Sequence, residues 1–148
     1  MIWALVNSWV YSTPVAQVDF TGLAGYTDVR VLIRGMTVSV SGQRAVRVST
    51  DNGSTFLSAS TDYLFVGSDG VETASTTLNV HATASAAARS AAVEICGFNL
   101  TSLKVAQILN RIDIRAVIIP TTSALNAVRV LNSAGGNLTA GNIYVFAR

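Results

Sequence analysis

The sequence predicts an all-β protein, an antiparallel, jelly-roll-like β-sandwich of about eight or nine strands. Three observations carry this expectation. Apolar residues recur at every second position, turn signals interrupt them at spacings of about ten residues, and hardly any stretch repeats with helical period. At 148 residues the chain has the size of one domain and enough length to bury a core without disulfides or metals. Residues 1–14 read as an N-terminal aromatic arm or first strand, and 15–148 as a single sandwich domain.

The arm carries Trp3, Trp9 and Tyr11. Core packing accounts for any one such ring, and together with Tyr26 they also suit a sugar-stacking platform. Two tryptophans and a tyrosine so close together suit an anchor onto a neighbouring subunit, because these side chains dominate interface energetics. Next, Val29, Val31 and Ile33 alternate with Arg30 and Arg34, and after Gly35 the phase flips to Met36, Val38 and Val40. A glycine at a phase flip predicts a β-bulge or a bend that carries a strand between sheets.

After a turn at 41–43, Val46 and Val48 are expected inward and Ala45, Arg47 and Ser49 outward. Asp51, Asn52, Gly53 and Ser54 predict a hairpin turn, since Asn and Gly tolerate positive φ. Further strands are expected at 61–66, 76–83, 91–98, 111–120, 124–131 and 142–148. In 76–83 the pattern sets Leu78, Val80 and Ala82 inward against Asn79, His81 and Thr83. In 111–120 it sets Ile112, Ile114, Ala116 and Ile118 against Arg111, Asp113 and Arg115. Residues 101–110 are ambiguous: Val105, Ile108, Leu109 and Ile112 fit helical spacing behind a Thr101 or Ser102 cap, so a helical turn and a strand both stand. The Ala- and Ser-rich stretch 82–92 reads as a flexible loop, with close approach of another chain as the alternative.

Composition bears on partners. Hydrophobic residues make up 50% of the chain and charged residues only 12%, and thirty Ser and Thr supply most of the polar surface. That charge content is about half the usual share, so part of the surface is expected to be covered by partners. The net charge is +2, and nine arginines and Lys104 are spread without a basic run, which predicts no nucleic-acid partner. The preference for Arg over Lys suits pairing at protein interfaces. No leader pattern and no apolar run of about 18 residues appears, so neither a signal peptide nor membrane insertion is expected.

Chemistry is sparse. His81 is the one histidine and is expected at a surface or interface; Cys96, the one cysteine, is expected as a buried, inert thiol. Of eight carboxylates only Glu94 and Asp113 fall in mid-strand, too few to assemble a glycosidase pair. Asp51, Asn52 and Asp69 lack the alternating-ligand pattern of a calcium loop, and no phosphate-cradling glycine loop is present. The sequence therefore predicts no enzyme: no catalytic residues, no cofactor and no metal.

Ser49-Thr50-Asp51-Asn52-Gly53-Ser54-Thr55-Phe56 resembles the Asp-box, Ser-x-Asp-x-Gly-x-Thr followed by an aromatic, known from sialidase propellers and unrelated β-folds. The resemblance implies a structural hairpin of Ser49, Asp51, Asn52, Gly53 and Phe56, remote from catalysis. Ser and Asp would bond turn backbone, and Phe56 would enter the core beneath. One copy cannot make a propeller, which needs repeated blades.

Two further stretches, Val18-Asp19-Phe20-Thr21-Gly22-Leu23 and 132–148, resemble small β-sandwich proteins of tailed-bacteriophage virions. What the resemblance implies is a structural component made in the host cytoplasm and located on the particle surface. It would be a decoration or cement protein, acting as a homo-oligomer (trimer or dimer) on the major capsid protein or other virion proteins. Trp3, Trp9 and Tyr11 become the candidate oligomer or capsid contacts. The alternative is the receptor-binding head of a short tail or head fibre, holding a host surface glycan. The lack of a collagen-like repeat or heptads tilts the expectation toward the decoration protein. No functional residues carry over, because these families share architecture rather than a catalytic signature.

Overall fold

The computed structural model describes residues 2–67, 70–81, 83–111 and 114–148. In chain order the strands are β1 (Ala4–Val10), β2 (Gln17–Phe20), β3 (Val29–Val38), β4 (Arg44–Ser49), β5 (Tyr63–Val66) and β6 (Glu72–Ser75). There follow β7 (Leu78–Asn79), β8 (Arg89–Cys96), β9 (Lys104–Asn110), β10 (Ile114–Ile119), β11 (Ala127–Asn132) and β12 (Leu138–Ala147). They form a large sheet, β1-β12-β3-β8-β9-β10-β5-β6, and a small one, β2-β11-β4-β7, antiparallel throughout. The chain is an antiparallel β-sandwich, and the described residues contain no helix. It has more strands than the eight or nine expected, because β2, β6 and β7 are too short to display an alternation.

Hairpins join β5 to β6, β8 to β9 and β9 to β10; the other connections pass between the sheets, which is the jelly-roll-like part of the topology. The core lies between the layers. Val31, Ile33, Val93, Ile95, Ile108, Val117 and Val145 come from the large sheet, and Phe20, Val46, Val48, Leu78, Val128 and Val130 from the small one. The turn at 51–54 and the one at 135–137 each carry the chain from the small sheet to the large one rather than closing a hairpin.

The bulge expected at Gly35 is present. Gly35 has φ +61°, the β3–β8 register slips between Ile33 and Met36, and Met36 and Val38 are both buried. The bulge re-phases β3 within the large sheet, and does not carry it across to the small one. Val40 is exposed, because β3 ends at Val38.

Two strand readings are corrected, and one left open is settled. Ala45 and Ser49 are buried: Ala45 sits between Leu131 and Asn79 in the small sheet, and the 51–55 turn folds back over Ser49. In β10 the buried residues are Val117 and Ile119, while Ile114 and Ala116 are exposed, the reverse of the expected phase. Ala116 to Ile119 is apolar on both faces, so alternation there cannot tell which face meets the core. For the same reason 104–110 imitated helical spacing; it is a strand with Ala106 and Ile108 buried and Val105 and Leu109 exposed. Ser68, Asp69, Ala82, Ile112 and Asp113 lie outside the described residues, and with them the readings that fell there.

Candidate functional site

Successive side chains of a strand point to opposite faces, so the residues between the buried ones lie on the outer face of the large sheet. Pair register sets them in rows. One row runs Cys96, Val105, Ile118, Leu64; the next runs Phe146, Arg30, Glu94, Gln107, Ala116, Val66. A third runs Tyr144, Leu32, Ala92, Leu109, Ile114. Val105 is 52% exposed, Leu109 39% and Ile114 68%. Strands apolar on both faces are the pattern of a sheet covered on both sides, yet within this chain the outer side lies open.

The small sheet contrasts with this. Its outer face carries Gln17, Asp19, Arg47, Asn79 and Arg129, with Arg129 forked onto Asp19 through two bonds of 2.7 Å. A polar outer face on one sheet and an apolar one on the other give the sandwich two unlike sides.

Near the middle of the apolar face the charges are paired, while Arg34 stands exposed on β3. Arg30 meets Glu94 at 2.6 Å and stands over the Trp3 ring, 4.5 Å from its centroid. Arg148 approaches the same ring to 4.6 Å and pairs with Asp28 at 2.9 Å. A shallow groove of about 570 Å³ runs here between Trp3, Leu32, Leu109 and Phe146.

The three aromatic candidates do not converge. β1 is no detached arm: it forms the edge of the large sheet, paired with β12. Trp3 lies by the outer-face groove, whereas Trp9 packs against the core, with Tyr11 edge-on to it at 6.1 Å and 80°. Tyr26 also packs on the core.

The Asp-box segment closes a compact turn. Ser49 Oγ donates to Asp51 Oδ1 (2.6 Å) and accepts from the backbone N–H of Asp51 and Gly53; Asp51 accepts from Thr55 N–H (2.8 Å) and Oγ1 (2.6 Å). The bonds from Ser49 and Thr55 lower the Asp51 carboxyl to a pKa of about 2. Asn52 holds φ +57° and accepts from Gly22 N–H at 2.7 Å, tying the turn to the segment after β2. Phe56 does not enter the core. It is half-buried with the Arg129 guanidinium 4.0 Å from its ring centroid, and Leu57, which donates to Val48 O, packs on the core instead.

Both lone reactive side chains differ from expectation. His81 is buried, because β7 ends at Asn79 and the alternation does not run on through it. Burial, then the charges of Arg89, Arg44 and Arg115, hold its pKa down to about 4. Cys96 is exposed on the outer face, since it closes β8 on the side away from the core. Its pKa is raised by desolvation and by Asp28 and Glu94, which keeps it a thiol rather than a nucleophilic thiolate. Among the described residues no group of three or more His, Cys, Asp or Glu is placed to hold a metal, and no helix is long and apolar enough to cross a membrane. Sequence reasoning missed Arg44 and Lys104, both buried cations.

No family model matches the chain, and no curated protein matches it. A structure described as that of a functionally unknown protein from Saccharomyces cerevisiae is similar over 89% of this chain and 70% of that one, with 15% identity and a TM-score of 0.37. SCP-B, a peptidase of the eqolisin family in complex with the tripeptide Ala-Ile-His, is similar over 93% of this chain and 64% of its own, with 14% identity and a TM-score of 0.33. Likeness of this degree carries no argument about activity.

Proposed function

We propose that this chain is a structural protein of a tailed-bacteriophage virion, a decoration or cement protein that acts as a homo-oligomer on the head. One observation carries the assembly part of this reading: the uncovered apolar outer face of the large sheet. Six adjacent strands at ~4.8 Å spacing make a face roughly 25–30 Å across, the scale of an interface burying about 800 Å² per partner. Its exposed apolar residues Val105, Leu109 and Ile114 lie on adjacent strands, the kind of surface that marks an interaction site. Its occupant is a sister subunit. Arg30 and Glu94 stand side by side near the middle of the face, so a two-fold axis there brings each Arg30 toward the other copy's Glu94, as a self-complementary contact requires.

The virion assignment rests on the resemblance of the 18–23 and 132–148 segments. Imaging purified particles at residue resolution tests it. Many ordered copies over the shell are expected. A few copies at a tail or fibre tip would replace this reading with the receptor-binding one, and absence from particles would overturn both.

A further inference from the structure

One end of the sandwich gathers Arg44, Arg89 and Arg111, and no salt bridge among the described residues reaches them. Arg44, on β4, is 1% exposed, and its guanidinium donates to Met36 O (3.0 and 2.6 Å) and to the carbonyls of Ser85, Ala86 and Ala87. No carboxylate among the described residues meets it. A guanidinium is in effect always protonated, and a buried charge ordinarily has a counter-charge. Burial and then the neighbouring Arg89 lower its pKa to about 10.

Beside it the 87–90 segment and the end of β9 enclose an open recess of about 560 Å³, lined by His81, Arg89, Ser90, Asn110 and Arg111 as its polar residues. No carboxylate among the described residues lines it. His81 is 4% exposed, and its Nε2 is buried with no hydrogen-bond partner among the described residues. Buried polar atoms are nearly always satisfied, so an orphan nitrogen at a basic recess marks a missing partner, which is an acceptor when Nε2 carries the imidazole proton. Among the described residues, the charged groups that act on His81 are Arg89 from β8, Arg44 from β4 and Arg115 from β10, all cationic. Burial first, and then these charges, keep the imidazole neutral, and a neutral imidazole still offers one N–H. Ser90 Oγ accepts from Gly35 N–H at 2.9 Å, which leaves its hydroxyl proton for a ligand.

We propose that this recess is an oxyanion site, in which Arg89, Arg111 and the Nε2–H of His81 hold a phosphate, sulfate or carboxylate group above the buried charge of Arg44. The bound anion supplies a counter-charge that no described carboxylate gives Arg44, and an acceptor for His81 in its Nε2–H tautomer. The inference stands on these residues alone and does not depend on the virion reading. The oxyanion comes either from a free ion or from an acidic group on a larger molecule, and the chemistry is shared.

Inorganic phosphate, sulfate and acetate, titrated separately against the full chain, test it, with the His81 ring nitrogens followed by NMR at constant ionic strength. A saturable shift with at least one ion is expected, with the His81 titration midpoint rising from about 4 as the anion offsets the arginines. Arg89→Gln and Arg111→Gln should each weaken binding about tenfold, the loss of one charge-assisted bond, while Arg47→Gln on the small sheet leaves it unchanged. Tighter binding of phosphate and sulfate identifies a tetrahedral ligand; tighter binding of acetate identifies a carboxylate. Shifts that fail to saturate with all three ions, or that are equal in Arg89→Gln, Arg111→Gln and Arg47→Gln, overturn the proposal.

Discussion

Arg44 and Lys104 reach the interior by the same device: the cation is surrounded by backbone carbonyls instead of a carboxylate. Lys104 Nζ donates to Ser102 O (2.8 Å), Thr121 O (3.1 Å) and Ser123 O (2.6 Å), and burial lowers its pKa. Lys104→Met removes the charge and leaves three carbonyls without a donor, so a loss of about 2–4 kcal/mol is expected in urea denaturation. His81 makes stability depend on pH. Its folded pKa of about 4 lies below the ordinary 6.5, so between these values the unfolded chain binds more protons. Stability is then full above pH 6.5 and falls as pH drops toward 4, and His81→Gln should flatten that decline in urea midpoints measured from pH 7 to 4. Asp51 adds a second, lower step, its contribution being lost as pH falls from about 4 toward 2. The Asp51 turn was legible because its partners, Ser49 and Thr55, lie within a few residues. Arg44 and Lys104 were not, because their acceptors lie as far along the chain as Ala87 and Ser123.

Among the elements, β3 and β12 bulge together. Gly141 has φ +99°, and a Cβ there would stand 2.7 Å from Arg34 O and from the Met36 Cα. The strands approach so closely because both registers slip here. Gly141→Ala is therefore expected to cost about 1–3 kcal/mol, from backbone strain and lost pairing. Gly25→Ala, with nothing within 4 Å, should leave the thermal midpoint nearly unchanged. The β3 bulge could be read from the phase flip at Gly35, since Arg30 and Arg34 mark the outward positions of that strand before the glycine. The β9–β10 hairpin could not be phased, because Val105, Leu109 and Ile114 make its outer face as apolar as its inner one. Alternation identifies a strand's buried side only when the other side is wet.

For the molecule as a whole, low charge led to the expectation of a covered surface, and the pairing register shows which face is apolar enough to be the proposed one. Val105→Glu with Leu109→Glu places two charges on the outer face at exposed positions, so the fold should survive while the oligomer dissociates in sedimentation equilibrium. Cys96 reports the same event: it lies in the Val105 row, and maleimide should label it slowly in the wild-type oligomer and quickly in the double variant. Equal rates and equal masses would remove the face from the proposed assembly. A different property follows from the edge pairing, in which Ala4 lies opposite Ala147 and Val10 opposite Asn142. Tension applied between Ala4 and Ala147 peels β1 away one residue pair at a time. Tension between Ala4 and Asn142 loads every bond of that seven-residue strand at once. The seam between first and last strands thus yields at low force in one direction and resists in the other, so its mechanical strength depends on where along the two strands the load is attached.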